Sequence, residues 1–87
     1  MKQTYYWFRT CAACDGQGRL VLFWDATNGR LYLHCEECET GWVTPEDAVA
    51  GRNAFSTLDA DFETRVPTRD EIDAHGWEHV RRHSFSD

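Results

Sequence analysis

Residues 11–38 read CAACDGQGRLVLFWDATNGRLYLHCEEC: a Cys-x-x-Cys pair, twenty residues, then a second Cys-x-x-Cys pair. Two cysteines with two residues between them can turn both sulfurs toward one point. A second such pair after about 15–20 residues is the spacing of a four-cysteine zinc site. Cys11, Cys14, Cys35 and Cys38 are therefore the candidate ligands. The residues between the pairs carry a hairpin pattern, with Asn28-Gly29 as the signal for a two-residue turn. Placing Thr27 opposite Arg30 puts Leu20, Leu22, Trp24 and Ala26 on one face with Leu31, Leu33 and Cys35. The other face is mixed: Arg19, Val21, Phe23, Asp25 and Thr27 with Arg30, Tyr32, His34 and Glu36. A slip of one residue would drive charges into the core, so the pattern specifies which face turns inward.

The chain has 87 residues, enough for one domain with a modest core, and domains this short commonly lean on a metal or disulfides. A hydrophobic content of 41% with 14% aromatics marks a folded chain rather than a disordered one. No apolar run approaches a membrane span, and the first residues lack the apolar stretch of a signal peptide. The expected location is the cytoplasm. Two disulfides, or redox chemistry, are the alternatives for four cysteines, and a reducing compartment disfavours disulfides. Zinc is the default occupant of a four-thiolate site, with iron as the alternative.

The run Cys11-Ala-Ala-Cys14-Asp-Gly16-Gln-Gly18 resembles the Cys-x-x-Cys-x-Gly-x-Gly repeat of the DnaJ-type chaperone zinc domain, which implies the geometry of a knuckle. The order of lead-in strand, knuckle, hairpin and knuckle over residues 4–43 resembles the zinc-ribbon group. That resemblance implies a structural zinc ion held by the four cysteines.

Residues 4–10 are β-prone and aromatic, and read as the lead-in strand. After the second knuckle, Thr44-Pro45-Glu46-Asp47 opens a helix over 45–50 that Gly51 stops. Residues 52–57 read as a loop. Residues 58–66 alternate, with Leu58, Ala60, Phe62, Thr64 and Val66 against Asp59, Asp61, Glu63 and Arg65, which predicts a strand; the spacing of Leu58, Phe62 and Val66 also fits a helix. Thr68-Arg-Asp-Glu71 is a capping box opening a helix over 69–75, ended by Gly76 or continued to about residue 83. Ile72, Trp77 and Val80 are its core anchors, and Ser84 to Asp87 are expected to fray. The fold class is thus α+β: a small zinc-ribbon hairpin or three-stranded antiparallel sheet with one or two short C-terminal helices. Residues 1–43 form the ribbon, and residues 44–87 form an extension packed on it within a single domain.

The formal charge of −6 is uneven: residues 1–34 carry +2, residues 35–80 carry −9 and residues 81–87 carry +1. This balance disfavours a general nucleic-acid binder and favours a basic protein partner. Glu36, Glu37 and Glu39, with Asp59, Asp61 and Glu63, are the candidate partner-binding residues. The acids of 59–63 are too few for a two-metal nuclease, and Arg81-Arg82-His83 is a small basic cluster with potential for phosphate. His75, His79 and His83, four residues apart on a continuous helix, are candidates for a second metal. Tyr5, Tyr6, Trp7, Phe8, Phe23 and Tyr32 are a potential aromatic platform. Four thiolates close a metal's coordination sphere, and no nucleophile–base pair stands out, so the chain reads as a non-catalytic zinc-binding interaction module with no small-molecule substrate and no membrane partner. Small acidic cytosolic domains of this kind look like inhibitors of the immunity or antitoxin type. The alternative is a transcription-type ribbon that binds nucleic acid through Arg9, Arg19, Arg30 and the aromatic face.

Overall fold

A computed structural model describes residues 3–59 and 61–86. The fold is α+β, built on one antiparallel sheet. β1 (Thr4–Thr10), β2 (Arg19–Asp25), β3 (Arg30–Cys35), β4 (Thr40–Trp42) and β5 (Phe55–Ser56) come first. α1 (Pro45–Ala50) lies between β4 and β5; β6 (Thr64–Arg65), α2 (Arg69–Ala74) and β7 (His83–Ser86) follow. The strand order is β5-β4-β3-β2-β1-β7, with β6 also paired to β2. β2 is central because two strands share one of its edges. Val21 and Arg19 pair with β1, while Trp24 and Asp25 pair with β6.

The inward face is the one the hydrophobic pattern selects. Leu20, Leu22, Leu31, Leu33 and Cys35 are buried, together with Phe8, Cys11, Trp42, Ala48, Ile72 and Val80. Tyr6 and Phe8 of β1 face this core, whereas Tyr5 and Trp7 point to the other side with Phe23 and Tyr32. The six aromatics thus divide between the two faces of the sheet.

The hairpin register differs from a two-residue turn. Asp25 pairs with Arg30, so residues 26–29 form a four-residue loop and the strands shift by two positions. The cause is the Asp25 carboxylate, which accepts from the backbone N–H of Thr27 at 3.1 Å and of Asn28 at 3.0 Å. It also accepts from Nδ2 of Asn28 and Nε of Arg30, at 2.8 and 3.1 Å. A side-chain acceptor that closes the loop from the strand residue before it out-competes the tight turn. A shift of two leaves every side chain on its expected face.

Both helices start as their sequences require. The Thr44 hydroxyl accepts from the Asp47 N–H, and Gly51 ends α1 at φ 70°. Thr68 and Glu71 form the capping box of α2, and Ile72 and Val80 are buried while Trp77 is partly so. Gly76 at φ 76° ends the helical path, which excludes a helix reaching residue 83.

Elsewhere the chain is more strand-rich than expected. A seven-stranded sheet replaces the three-stranded one. Residues 55–56 form β5 on the outer side of β4, since Gly41 leaves room for Phe55: a Cβ at Gly41 would lie 2.5 Å from that ring. The alternating run over 58–66 yields a strand only at Thr64–Arg65, and Ala60 lies outside the described residues. Residues 57–59 turn instead, with the Asp59 N–H on the Ser56 carbonyl, and Phe62 packs on Tyr32 and Phe55. Ser84–Ser86 do not fray but pair with β1 in β7, with Phe85 stacked on Tyr5 and His83 on Trp7. Asp87 is outside the described residues. Among the described residues, no helix is long and apolar enough to cross a membrane.

Candidate metal centre

Both cysteine pairs sit at the ends of strands. Cys11 follows β1 and opens a single 3-10 turn, Ala12–Cys14, that returns the chain to β2; Cys35 ends β3 and Cys38 precedes β4. Each pair is followed by a residue in the left-handed region, Asp15 at φ 56° and Glu39 at φ 54°. The chain reverses there through backbone bonds to the first cysteine of each pair. Gly16 donates to the Cys11 carbonyl at 2.8 Å and Glu39 donates to the Cys35 carbonyl at 3.1 Å. Leu20 and Cys35 are Cα partners across the hairpin, so the second pair is delivered to the start of β2, where the first pair ends.

The four sulfurs converge as a result. All lie within 4.8 Å of one another, with Cys11 to Cys38 at 3.8 Å and Cys14 to Cys35 at 3.6 Å. Ligands about 2.3 Å from a tetrahedral zinc ion stand about 3.8 Å apart along each edge, so the observed spacing fits such an ion. It is far beyond the sulfur–sulfur bond of about 2 Å, and all four cysteines are unpaired. Cys11 and Cys35 are buried, Cys14 is half-buried and Cys38 lies at the surface. The four cysteines are thus arranged to hold a metal ion.

The surroundings act differently on the individual sulfurs. The Cys38 backbone N–H donates to the Cys35 sulfur at 3.4 Å, and the Thr40 hydroxyl lies 3.4 Å from the Cys38 sulfur. Burial pushes the Cys35 thiol up to about 12 and raises that of Cys11 as well. At Cys38 burial also opposes ionisation, but contacts from Thr40 and the neighbouring sulfurs outweigh it and lower the value. Two thiols this reluctant to ionise need a cation before they become ligands.

Gly18 has a role the spacing alone does not show. Its carbonyl accepts from the Cys11 N–H at 2.8 Å. A Cβ there would meet the Cys35 sulfur at 2.6 Å and the Glu37 Cβ at 2.9 Å. Glycine is required by close packing against a ligand, and the Gly-x-Gly that follows the first pair is the sequence signal for it.

The histidines do not join a metal site among the described residues. His34 bonds Glu39 through Nε2 at 2.7 Å, on the face away from the sulfurs. His75 packs on Trp24 and His83 on Trp7, while His79 borders a groove beside Phe8 and Pro45. With the helix ended at Gly76 these three histidines never share a face. Among the described residues, the cysteine quartet is the one group with ligand atoms close enough to hold an ion.

The acids proposed for partner binding separate into two sets. Glu36 pairs with Arg19 and Glu39 with His34, so both are engaged within the chain. Glu37, Asp59, Asp61 and Glu63 are exposed and make no ion pair among the described residues. The chain matches no protein-family model, and no curated protein or solved structure proved similar to it.

Proposed function

We propose that this chain is a zinc-binding, non-catalytic interaction module whose ribbon-like knuckles hold the fold while its acidic surface engages a basic protein partner. The sulfur geometry carries the first half. Four thiolates at tetrahedral spacing satisfy zinc completely, so the ion cross-links β1, β2, β3 and the approach to β4 and offers no position to a substrate. Reduced cysteines of this kind belong to the cytoplasm.

The pairing of charges supports the second half. Arg19, Arg30, Arg52, Arg65 and Arg81 each pair with a carboxylate. Asp15, Glu37, Glu46, Asp59, Asp61, Glu63, Asp70 and Glu78 are exposed without an ion pair among the described residues. Uncompensated surface charge is therefore strongly negative, which steers a basic partner and repels a polyanion. Arg19 and Arg30, two of the three arginines a nucleic-acid ribbon would use, are occupied by Glu36 and Asp25. An inhibitor of the immunity or antitoxin type is the biological class that fits such a module.

Metal analysis of the purified native protein should give one zinc per chain, and chelation at neutral pH should abolish the near-ultraviolet signal of its buried aromatics. A metal-free, fully folded protein would refute the structural zinc. Affinity capture from the source cells should recover a basic protein in stoichiometric amount. Capture of nucleic acid in its place would refute the partner assignment.

A further inference from the structure

A cleft of about 330 Å³ is lined by Tyr6, Arg69, Arg81, Arg82, His83 and Ser84, with no carboxylate in its wall. Its residues come from three places in the chain. Tyr6 belongs to β1, Arg69 begins α2, and Arg81 and Arg82 lead into β7, which His83 and Ser84 begin. Tyr6 and Ser84 are Cα partners, which puts their hydroxyl-bearing side chains on the same side of the sheet. Three of the chain's eight arginines meet here although the chain carries −6.

Arg81 and Arg82 are held in place, and of the three arginines only Arg81 is paired with a carboxylate among the described residues. Arg81 binds Asp73 through Nε and Nη2. Arg82 lies over the Phe8 ring at 5.1 Å and donates from Nε to the His79 carbonyl at 3.3 Å. Arg69 is exposed, and neither it nor Arg82 makes an ion pair among the described residues. Of the three guanidiniums only that of Arg81 is paired, which leaves Arg69 and Arg82 free to meet an anion in the cleft.

We propose that this cleft binds a single phosphoryl group, carried as a phosphate monoester. The planar guanidinium fork matches two phosphoryl oxygens at once. A monoester carries a charge of about −1.5 to −2 at neutral pH, above that of a carboxylate, and so draws more from the two unpaired guanidiniums. The Tyr6 and Ser84 hydroxyls add neutral donors. The site takes one phosphoryl group and not a nucleic-acid strand, because exposed Asp70 and Glu78 flank its arginines in the chain.

The test uses the full-length, zinc-loaded protein titrated with inorganic phosphate, O-phosphoserine and AMP at constant ionic strength, followed by amide NMR. Saturable shifts centred on Arg69, Arg82, His83 and Ser84 are expected, and the tightest probe identifies the bearer of the phosphoryl group. Arg69 is exposed and unpaired, so Arg69→Ala should leave the melting temperature unchanged and weaken binding about tenfold or more. Arg69→Lys should recover only part of the loss, and Arg9→Ala, outside the cleft, should have no effect. Shifts that stay linear in ligand or are reproduced by sodium chloride would overturn the proposal. So would unaltered binding in Arg69→Ala, or tighter binding of a single-stranded oligonucleotide than of any monoester.

Discussion

Asp25 is the fully buried charged residue among those described, with 0% of its surface exposed. Burial works against its ionised form, but donors from Asn28 and Arg30 outweigh that cost and hold its carboxyl below the usual range. Four donors converge on the two oxygens, so this one side chain fixes the loop and the register. Asp25→Ala would strip two backbone donors and Arg30 of their acceptor. It should lower the unfolding free energy by about 2–4 kcal/mol in urea at neutral pH with zinc bound. A change below about 0.5 kcal/mol, typical of a surface site, would show that the loop closes without it.

At the scale of elements, α2 is only six residues long and depends on its ends. Thr68 donates its N–H to Glu71 Oε1 at 2.9 Å, and the Glu71 N–H returns to the Thr68 hydroxyl at 3.2 Å. The Arg65 guanidinium adds a two-pronged bond to the same carboxylate, linking β6 to the helix. Arg65 first, and the Thr68 N–H second, pull the Glu71 carboxyl down to about 2. A carboxylate depressed in the folded chain contributes fully above its unfolded value of about 4.3 and loses that contribution as pH falls toward 2. Glu71→Ala should therefore cost about 1 kcal/mol at neutral pH, in the range of a lost helix cap. The gap between variant and parent, measured by urea unfolding at a series of pH values, should narrow below about pH 4. A gap that is constant with pH would mean that the charged form of Glu71 contributes nothing.

For the molecule as a whole, the metal centre and the sheet are one structure, because Cys11 and Cys35 belong to the same buried cluster as Leu20, Leu22 and Trp42. Burial keeps the Cys35 and Cys11 thiols protonated without a cation, so metal entry must expel protons. Apparent zinc affinity should fall by about two powers of ten or more for each unit of pH below neutrality, one for each of these two thiols. Competition with a coloured chelator across that range measures the slope, and proton release can be checked by calorimetry in buffers of different ionisation heat. A flat profile would mean that the ligands are not these thiols. The phosphoryl cleft lies on the β1–β7 side and uses none of the four cysteines, so its occupancy is a separate property.

Local chemistry determined a good deal of this. The paired Cys-x-x-Cys runs name the ligands, the alternation of 20–35 names the buried face, and Thr44, Gly51, Thr68, Glu71 and Gly76 mark the helix ends. Those features depend on neighbours a few residues away or on a period of two, which a sequence displays directly. Only tertiary structure decided that Phe55 and Phe85 lie in strands and that, among the described residues, the alternating run over 58–66 is strand only at Thr64–Arg65. Short edge strands form where a neighbouring strand offers free hydrogen-bonding groups and an aromatic surface, whatever their own propensity. The convergence of Tyr6, Arg69 and Arg82 on one cleft has the same origin. It is created by β7 pairing with β1, a contact between the two ends of the chain that no local pattern encodes.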